Sequence, residues 1–226
     1  REVIPSQGDP HTPSNNKLEK SLSDLRKIEH IEIIRIGTRI PVVLPMRVTS
    51  TLTQMIRKYA PVFLMTHFNH PQELTYESAE ALSQLIDHGI PVMNQMVLLN
   101  GINNHAAIVQ ALSRRLLYLR VKPYYMFQCD PSDGTDHLRT TVADSLNIQR
   151  SLWGHLSGLA MPNLSLDIPK GGGKVPLVPN FLIQQSDAQH TYKGWDGITE
   201  SYIDPQHPMQ SPKLTPYLEE WQQIQS

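Results

Sequence analysis

The strongest candidate for chemistry in this sequence is a run of three glycines that ends on a lysine. The stretch DIPKGGGKVPLVPNF, residues 167–181, contains Asp167, Lys170 and Lys174. A phosphate-binding P-loop would need a glycine where Ile168 stands and a Ser or Thr where Val175 stands, so a P-loop is excluded. Glycines permit close backbone approach to a flat or anionic group, and a lysine beside them is able to form a Schiff base with an aldehyde such as that of pyridoxal phosphate (PLP). A solvated lysine on a flexible surface loop is the open alternative.

A second polar cluster, THFNHPQE, offers two histidines and a carboxylate: His67, His70 and Glu73. Imidazole and carboxylate are usual metal ligands, but the spacing is not that of a helical zinc motif and Pro71 interrupts any helix there. These side chains therefore either bind a metal, as in a metal-dependent hydrolase, or form hydrogen bonds to the strand end or to the hydroxyl groups of a ligand.

Two further polar residues lie within or directly after apolar runs. Asp130 follows the run KPYYMFQC, where a carboxylate could hold a cationic substrate group, although turn formation also explains the Asp–Pro and Asp–Gly pairs of QCDPSDG. Gln95 interrupts the run IPVMNQMVLL, and because a buried amide needs hydrogen-bond partners, we interpret it as a ligand-binding residue. Cys129 is interpreted as a small buried side chain rather than as a nucleophile.

The elements that position these residues follow from hydrophobic periodicity. Short apolar runs, at residues 31–37, 61–67, 90–99 and 122–129, begin about every 30 residues, the length of a strand, a helix and their loops. Helical stripes lie between them. This alternation predicts a parallel sheet covered by helices, with the polar residues at the carboxyl ends of its strands. About five such units occupy residues 1–157, too few for a complete eight-stranded barrel. Residues 158–226 read as a β-leaning segment with the lysine, followed after Gln185 by an irregular tail.

Composition limits the classes of function. A formal net charge of −1 and no long apolar run give no reason to expect a nucleic-acid or membrane partner, and a soluble, cytoplasmic protein is expected. The single cysteine excludes a disulfide framework and a cysteine-only metal cage. The sequence begins at Arg1, inside what reads as a strand, which suggests that part of a larger polypeptide is missing.

Taken together, the motifs resemble the C-terminal two-thirds of the lysine 2,3-aminomutase family of radical S-adenosylmethionine enzymes. The resemblance runs to about residue 185 through an ordered series of stretches: GDP, HIEIIRIGTRIPVVLPMRVT, THFNHPQELT, NQMVLLNGIN, RVKPYYMFQCD, HLRTTV, GHLSGLAMPN and GGGKVPLVPN. It implies a partial, incomplete TIM barrel of the radical S-adenosylmethionine type with a β-containing C-terminal appendage.

The resemblance also assigns cofactor-binding residues. In the family, PLP is held as a Schiff base on the lysine that closes the glycine run, which corresponds to Lys174 rather than Lys170. Gln95 corresponds to a residue beside PLP, whereas His67 and Asp9 fall among the residues that line the S-adenosylmethionine site.

The implied activity is migration of the α-amino group of an L-amino acid to the β-carbon. Lysine-specific members hold the distal ammonium of the substrate between two carboxylates, and these correspond to Asp130 and Asp167. Lysine is therefore the expected substrate, with PLP, S-adenosylmethionine and a [4Fe–4S] cluster as the cofactors of the full-length family.

The sequence departs from the family at several positions: Gln7 and Lys170 stand where the family usually has glycine, and the most important departure concerns the cluster. The CxxxCxxC motif that ligates the cluster is absent, and Cys129 alone cannot hold a cluster. The alternatives are therefore a truncated or split-gene product that is inactive alone, or a non-enzymatic module that binds PLP or another small molecule. As partners we expect a homo-oligomer or association with a missing N-terminal half.

Overall fold

The structure is a computed structural model that describes residues 2–4, 14–169 and 171–205. Two of the residues discussed above, Asp9 and Lys170, lie outside this part of the chain. The chain divides into two compact units, Arg1–Pro179 and Asn180–Ser226. The sequence placed a boundary after residue 157, whereas the compact units divide later because residues 163–176 pair with the sheet of the first unit.

The first unit is built on a seven-stranded sheet whose strands lie side by side in chain order. Six strands are parallel and the seventh is antiparallel to the sixth. The predicted parallel sheet is thus confirmed. Its strands are β1 (Glu2–Val3), β2 (Ile33–Gly37), β3 (Val62–Thr66), β4 (Val92–Leu98), β5 (Lys122–Gln128), β6 (Asn163–Ile168) and β7 (Gly173–Pro176).

Helices connect the parallel strands. They are α1 (Asn15–Arg26), α2 (Ile40–Val43), α3 (Ser50–Arg57), α4 (Tyr76–Asp87), α5 (Ala106–Tyr118) and α6 (Val142–Leu152). Threonines 49, 75 and 141 accept a backbone hydrogen bond at the starts of α3, α4 and α6, as N-cap residues do. Gly89 follows the end of α4 with a φ of 78°, the left-handed conformation of a C′ glycine. No helix in the described ranges has the length and apolar character needed to cross a bilayer.

The two faces of the sheet differ in their surroundings. In β4 the alternating residues Val92, Met96 and Leu98 are buried in one core with apolar side chains of α4 and α5. The residues between them, which include Gln95, are only half-buried and point to the opposite side, here called the open face. Because all five crossovers step in the same direction along the sheet, right-handed connections place the helices on one side and leave the open face available for a ligand.

The guanidinium of Arg26 connects the end of α1 to the loops before β2 and β3. Its Nε donates to Tyr59 O at 2.9 Å, Nη1 to Glu32 O at 2.9 Å and Nη2 to Pro61 O at 2.6 Å. A lysine ammonium cannot reach all three carbonyls, so Arg26→Lys should lower the free energy of unfolding by about 2 kcal/mol. Urea unfolding measures this loss. Arg57→Lys on the exposed side of α3 is the control, and an equal loss there would contradict the assignment.

The second unit contains a three-stranded antiparallel sheet in the order β10-β9-β8. Its strands are β8 (Leu182–Ser186), β9 (Gln189–Lys193) and β10 (Thr199–Ile203). The predicted irregular tail after Gln185 is therefore wrong for residues 189–203. The turn between β9 and β10 contains Asp196 and Gly197, with Gly197 at a φ of 86°, and this Asp–Gly pair was the hairpin signal in the sequence.

Candidate functional site

The glycine run forms the turn between β6 and β7. Gly171 and Gly173 have φ values of 100° and 77°, which side chains disfavour, and a Cβ on Gly172 would lie 2.5 Å from Ile168 Cγ2. The turn therefore requires glycine for its own geometry, and the close approach of its backbone to a cofactor stays a prediction. This turn produces a register between β6 and β7 in which Lys174 lies directly opposite Asp167.

The side chain of Lys174 is bound by a carboxylate and by two aromatic rings. Its Nζ donates to Asp167 Oδ1 at 2.6 Å and to Oδ2 at 2.9 Å. The same nitrogen lies 4.0 Å from the ring centroid of Phe127 and 5.3 Å from that of Tyr125, and these rings stack at 4.9 Å. An ammonium over ring faces and between carboxylate oxygens is held in a defined position on β7, although one-third of its side chain stays exposed.

Gln95 lies near the same aromatic rings. It is in register with Tyr125 across β4 and β5, on the open face, and Tyr125 is in turn in register with Asn163 of β6. Lys174 and Tyr125 also line one cavity of about 600 Å³, together with Asn163 and Ser165. The structure thus brings the two predicted PLP residues, Lys174 and Gln95, to one region of the open face.

The second cavity of the first unit is acidic. It has a volume of about 450 Å³, and its lining includes Asp130, Asp136 and Asp167 together with Arg139. Arg139 Nη1 pairs with Asp136 Oδ1 at 3.0 Å. Three carboxylates outnumber the guanidinium of Arg139 and the Lys174 ammonium bound to Asp167, so the cavity keeps a net negative charge, which suits a cationic ligand. The two predicted substrate residues, Asp130 and Asp167, line this one cavity.

Cys129 also lines the acidic cavity. Burial, and secondarily the neighbouring carboxylate of Asp130, raise the pKa of its thiol. Since the thiolate is the reactive form, we expect iodoacetamide to alkylate Cys129 more slowly than a free cysteine at pH 7.5, with a rate that rises through pH 9. Asp130→Asn should increase the rate about twofold by removing the smaller cause. A rate that is already constant with pH below pH 8 would contradict this prediction.

Three asparagines that the sequence analysis did not identify hold the loop after β3. Asn94 lies fully buried in β4; its Oδ1 accepts from Phe68 N at 2.7 Å and its Nδ2 donates to Phe68 O at 3.0 Å. Asn103 Nδ2 donates to Asn69 O and to Val97 O, both at 2.8 Å. This network fixes residues 68–69 at the carboxyl ends of β3 and β4, and half-buried His67 lies in the same loop directly after β3. The available signal was an asparagine, Asn94, inside the apolar run of β4.

The histidine and glutamate that suggested a metal have structural partners. His70 Nδ1 accepts from Gln72 N at 3.2 Å, and Glu73 Oε2 accepts from His70 N at 2.9 Å, which forms a capping box around a short turn. Glu73 Oε1 also pairs with Arg39 Nη2 at 2.9 Å. Within the described residues, no group of three potential metal ligands occurs. His70 and Glu73 are thus explained by local structure.

The first unit is thus an α/β fold in which a paired lysine and aspartate lie beside a cavity lined by further carboxylates. A family model for lysine-2,3-aminomutase matches residues 149–222. The chain belongs to the lysine 2,3-aminomutase family, as the resemblance of its motifs indicated.

Several curated relatives are similar over most of the chain. The L-lysine 2,3-aminomutases of Methanococcus maripaludis and Clostridium subterminale are 44% and 45% identical over 91% of the chain, which corresponds to 47% and 49% of their own lengths. The glutamate 2,3-aminomutase of Clostridioides difficile is 44% identical over 87% of the chain and 47% of its own length. The chain therefore spans about half the length of these relatives.

Proposed function

We propose that this chain supplies the PLP-binding lysine and the substrate-binding carboxylates of an amino-acid 2,3-aminomutase that acts on L-lysine. The observation that carries the proposal is the ion pair between Lys174 and Asp167. Lys174 lines the cavity of about 600 Å³ that Tyr125 also lines, and Asp167 lines the acidic cavity. A reactive amine and a cation-binding carboxylate are thereby adjacent.

The residues of the open face fit the aldehyde and ring of PLP. Lys174 offers a primary amine on the β7 side, and Tyr125 and Phe127 offer stacked ring faces below it. Gln95 adds an amide in register with Tyr125. PLP, when bound through Lys174, supplies an electron-accepting ring and a carbonyl carbon to which an amino group can be attached. The residues of this chain would hold the cofactor on one face of the sheet and keep its aldehyde next to Asp167.

The acidic cavity favours lysine over glutamate as substrate. Relatives of both specificities have nearly equal identity to the chain, so similarity alone does not distinguish them. Asp130 and Asp167 would attract the distal ammonium of lysine, whereas the side-chain carboxylate of glutamate would be repelled by the same groups. The charge of the cavity is thus the basis for proposing lysine.

The radical part of the reaction is also a proposal. Six parallel strands in sequential order are compatible with part of a barrel of the radical S-adenosylmethionine type. His67, at the carboxyl end of β3, and Asp9, outside the described residues, are proposed to contact S-adenosylmethionine. The single cysteine among the 226 residues does not fit a [4Fe–4S] cluster, so three cluster thiolates would have to come from residues outside this sequence.

The substrate proposal is tested by titrating the PLP-loaded chain with amino acids while the absorption spectrum of the cofactor is recorded. L-Norleucine is the matched ligand, because it has the length of lysine without the distal ammonium. We expect L-lysine to perturb the spectrum with at least about tenfold higher affinity than L-norleucine or L-glutamate. Asp130→Asn should reduce this preference, and Ser132→Ala, in the nearby exposed turn, is the control. Equal affinities for lysine and norleucine would contradict the proposal.

A further inference from the structure

Both oxygens of Asp167 are already bound to Lys174. The two contacts, at 2.6 and 2.9 Å, leave the ammonium of Lys174 where the ammonium of an incoming ligand would bind this carboxylate. The contact of Lys174 Nζ with the Phe127 ring adds to its retention at this position.

The other charged groups of the acidic cavity do not replace Asp167. Asp136 is paired with Arg139 and its side chain is 94% exposed, so both the guanidinium and the solvent weaken its attraction for a ligand ammonium. While Lys174 is bound to Asp167, a ligand ammonium that enters the cavity would therefore be attracted mainly by Asp130. It would also be repelled by the positive charge of Lys174.

We infer that Lys174 is an internal competitor for Asp167, so that binding of a cationic side chain in the acidic cavity is weak until PLP captures the lysine nitrogen. This inference rests on the proposed function and adds an order of events to it. On capture, the ammonium of Lys174 loses its proton to solvent. Its nitrogen then forms a double bond to the aldehyde carbon, and the aldehyde oxygen leaves as water. Asp167 is thereby free to accept the ligand ammonium.

Such coupling is reciprocal. If PLP attachment strengthens binding of an ammonium at Asp167, an ammonium bound at Asp167 must favour PLP attachment by the same factor, because it displaces Lys174 from its ion pair. The side chains of Lys174 and Asp167 are 35% and 45% exposed, so the competition is that of a partly solvated pair and its expected size is modest, about fivefold in affinity.

The test uses n-pentylammonium as a probe and isothermal titration calorimetry of the 226-residue chain at low ionic strength. Without PLP, Lys174→Met should bind the probe about fivefold more tightly than the unsubstituted chain, and Lys174→Met combined with Asp167→Asn should lose this gain. 1-Pentanol is the neutral matched probe, because it reports any gain that comes only from the space left by the shorter side chain. Lys170→Met is the control for a general change in charge.

A second arm keeps Lys174 in place. Loading the unsubstituted chain with PLP should raise its affinity for n-pentylammonium, and loading the Asp167→Asn variant should not. The inference is overturned if Lys174→Met binds the ammonium no better than the unsubstituted chain, if 1-pentanol gains equally, or if PLP loading leaves the affinity unchanged. Covalent labelling of Lys174 by PLP, measured in the same samples, separates these outcomes from a failure of the proposed function, since labelling can succeed while the competition is absent.

Discussion

Substitution of Lys174 by alanine is expected to abolish covalent uptake of PLP by this chain. The nitrogen of Lys174 is held at 4.0 Å from the Phe127 ring and next to the open face, whereas alanine offers no amine there. The covalent bond is the main source of affinity in the proposed site, so we expect the apparent affinity for PLP to fall at least about 100-fold. Spectrophotometric titration of the bound cofactor measures this change.

The matched control is Lys170→Ala, at the other lysine of the glycine run. It should leave PLP uptake within about twofold of the unsubstituted chain, as a general loss of one positive charge would have a small effect. Lys174 is one-third exposed, so its replacement should not unfold the chain, and a thermal unfolding scan of both variants verifies this. Uptake that survives in Lys174→Ala but is lost in Lys170→Ala would reverse the assignment.

Replacement of Asn94 by leucine is expected to cause the largest loss of stability among the changes considered. Asn94 makes two hydrogen bonds to the backbone of Phe68, and the side chains of both residues are buried in the first unit. Leucine has the same branched skeleton, although it is larger, and it leaves the buried N–H and C=O of Phe68 without these partners. We expect the free energy of unfolding to fall by about 3 kcal/mol.

Equilibrium unfolding in urea measures the effect, with Asn147→Leu on the exposed side of α6 as the control. That control should change the free energy of unfolding by less than about 0.5 kcal/mol. The loop that Asn94 holds also carries His67, so amide hydrogen exchange of residues 67–70 should accelerate in Asn94→Leu. A variant as stable as the unsubstituted chain would show that this asparagine is not essential to the loop.

The strands were predictable because their apolar runs have one structural interpretation. The runs at 31–37, 61–67, 90–99 and 122–129 became β2 to β5 with small changes at their ends. Each is bounded by a helical stripe, and parallel pairing in chain order is the simplest way to bury strands that are apolar on the helix side. The grouping of polar residues after these strands likewise follows from their parallel direction.

The contacts of the candidate site were not predictable from local pattern. The pairing of Lys174 with Asp167 depends on the antiparallel register of β6 and β7, and this register is set by a turn with two positive φ values. The position of the Lys174 amine over the Phe127 ring depends in addition on the pairing of β5 with β6. The hydrogen bonds of Asn94 and Asn103 join residues far apart in the chain, so only the tertiary structure reveals them.

The second unit illustrates a different limit. Residues 189–203 contain several residues that favour strands, but charged and polar side chains separate them without a regular apolar alternation, so their pattern was read as irregular. The structure pairs β9 with both β8 and β10, and the exposure of most of these residues explains why no apolar alternation marked the strands. The Asp–Gly pair at 196–197 was the one local signal of the hairpin.

The central claim, that Lys174 is the residue to which PLP attaches, is tested most directly by chemical mapping of the unsubstituted chain. The chain is loaded with PLP, reduced with borohydride to make the link permanent, digested, and analysed by mass spectrometry for the pyridoxyl group. The account predicts one dominant labelled peptide with the group on Lys174, and protection of that site when the neighbouring cavity is filled by a PLP analogue without an aldehyde. Label on Lys170, or label distributed among surface lysines, would contradict the claim.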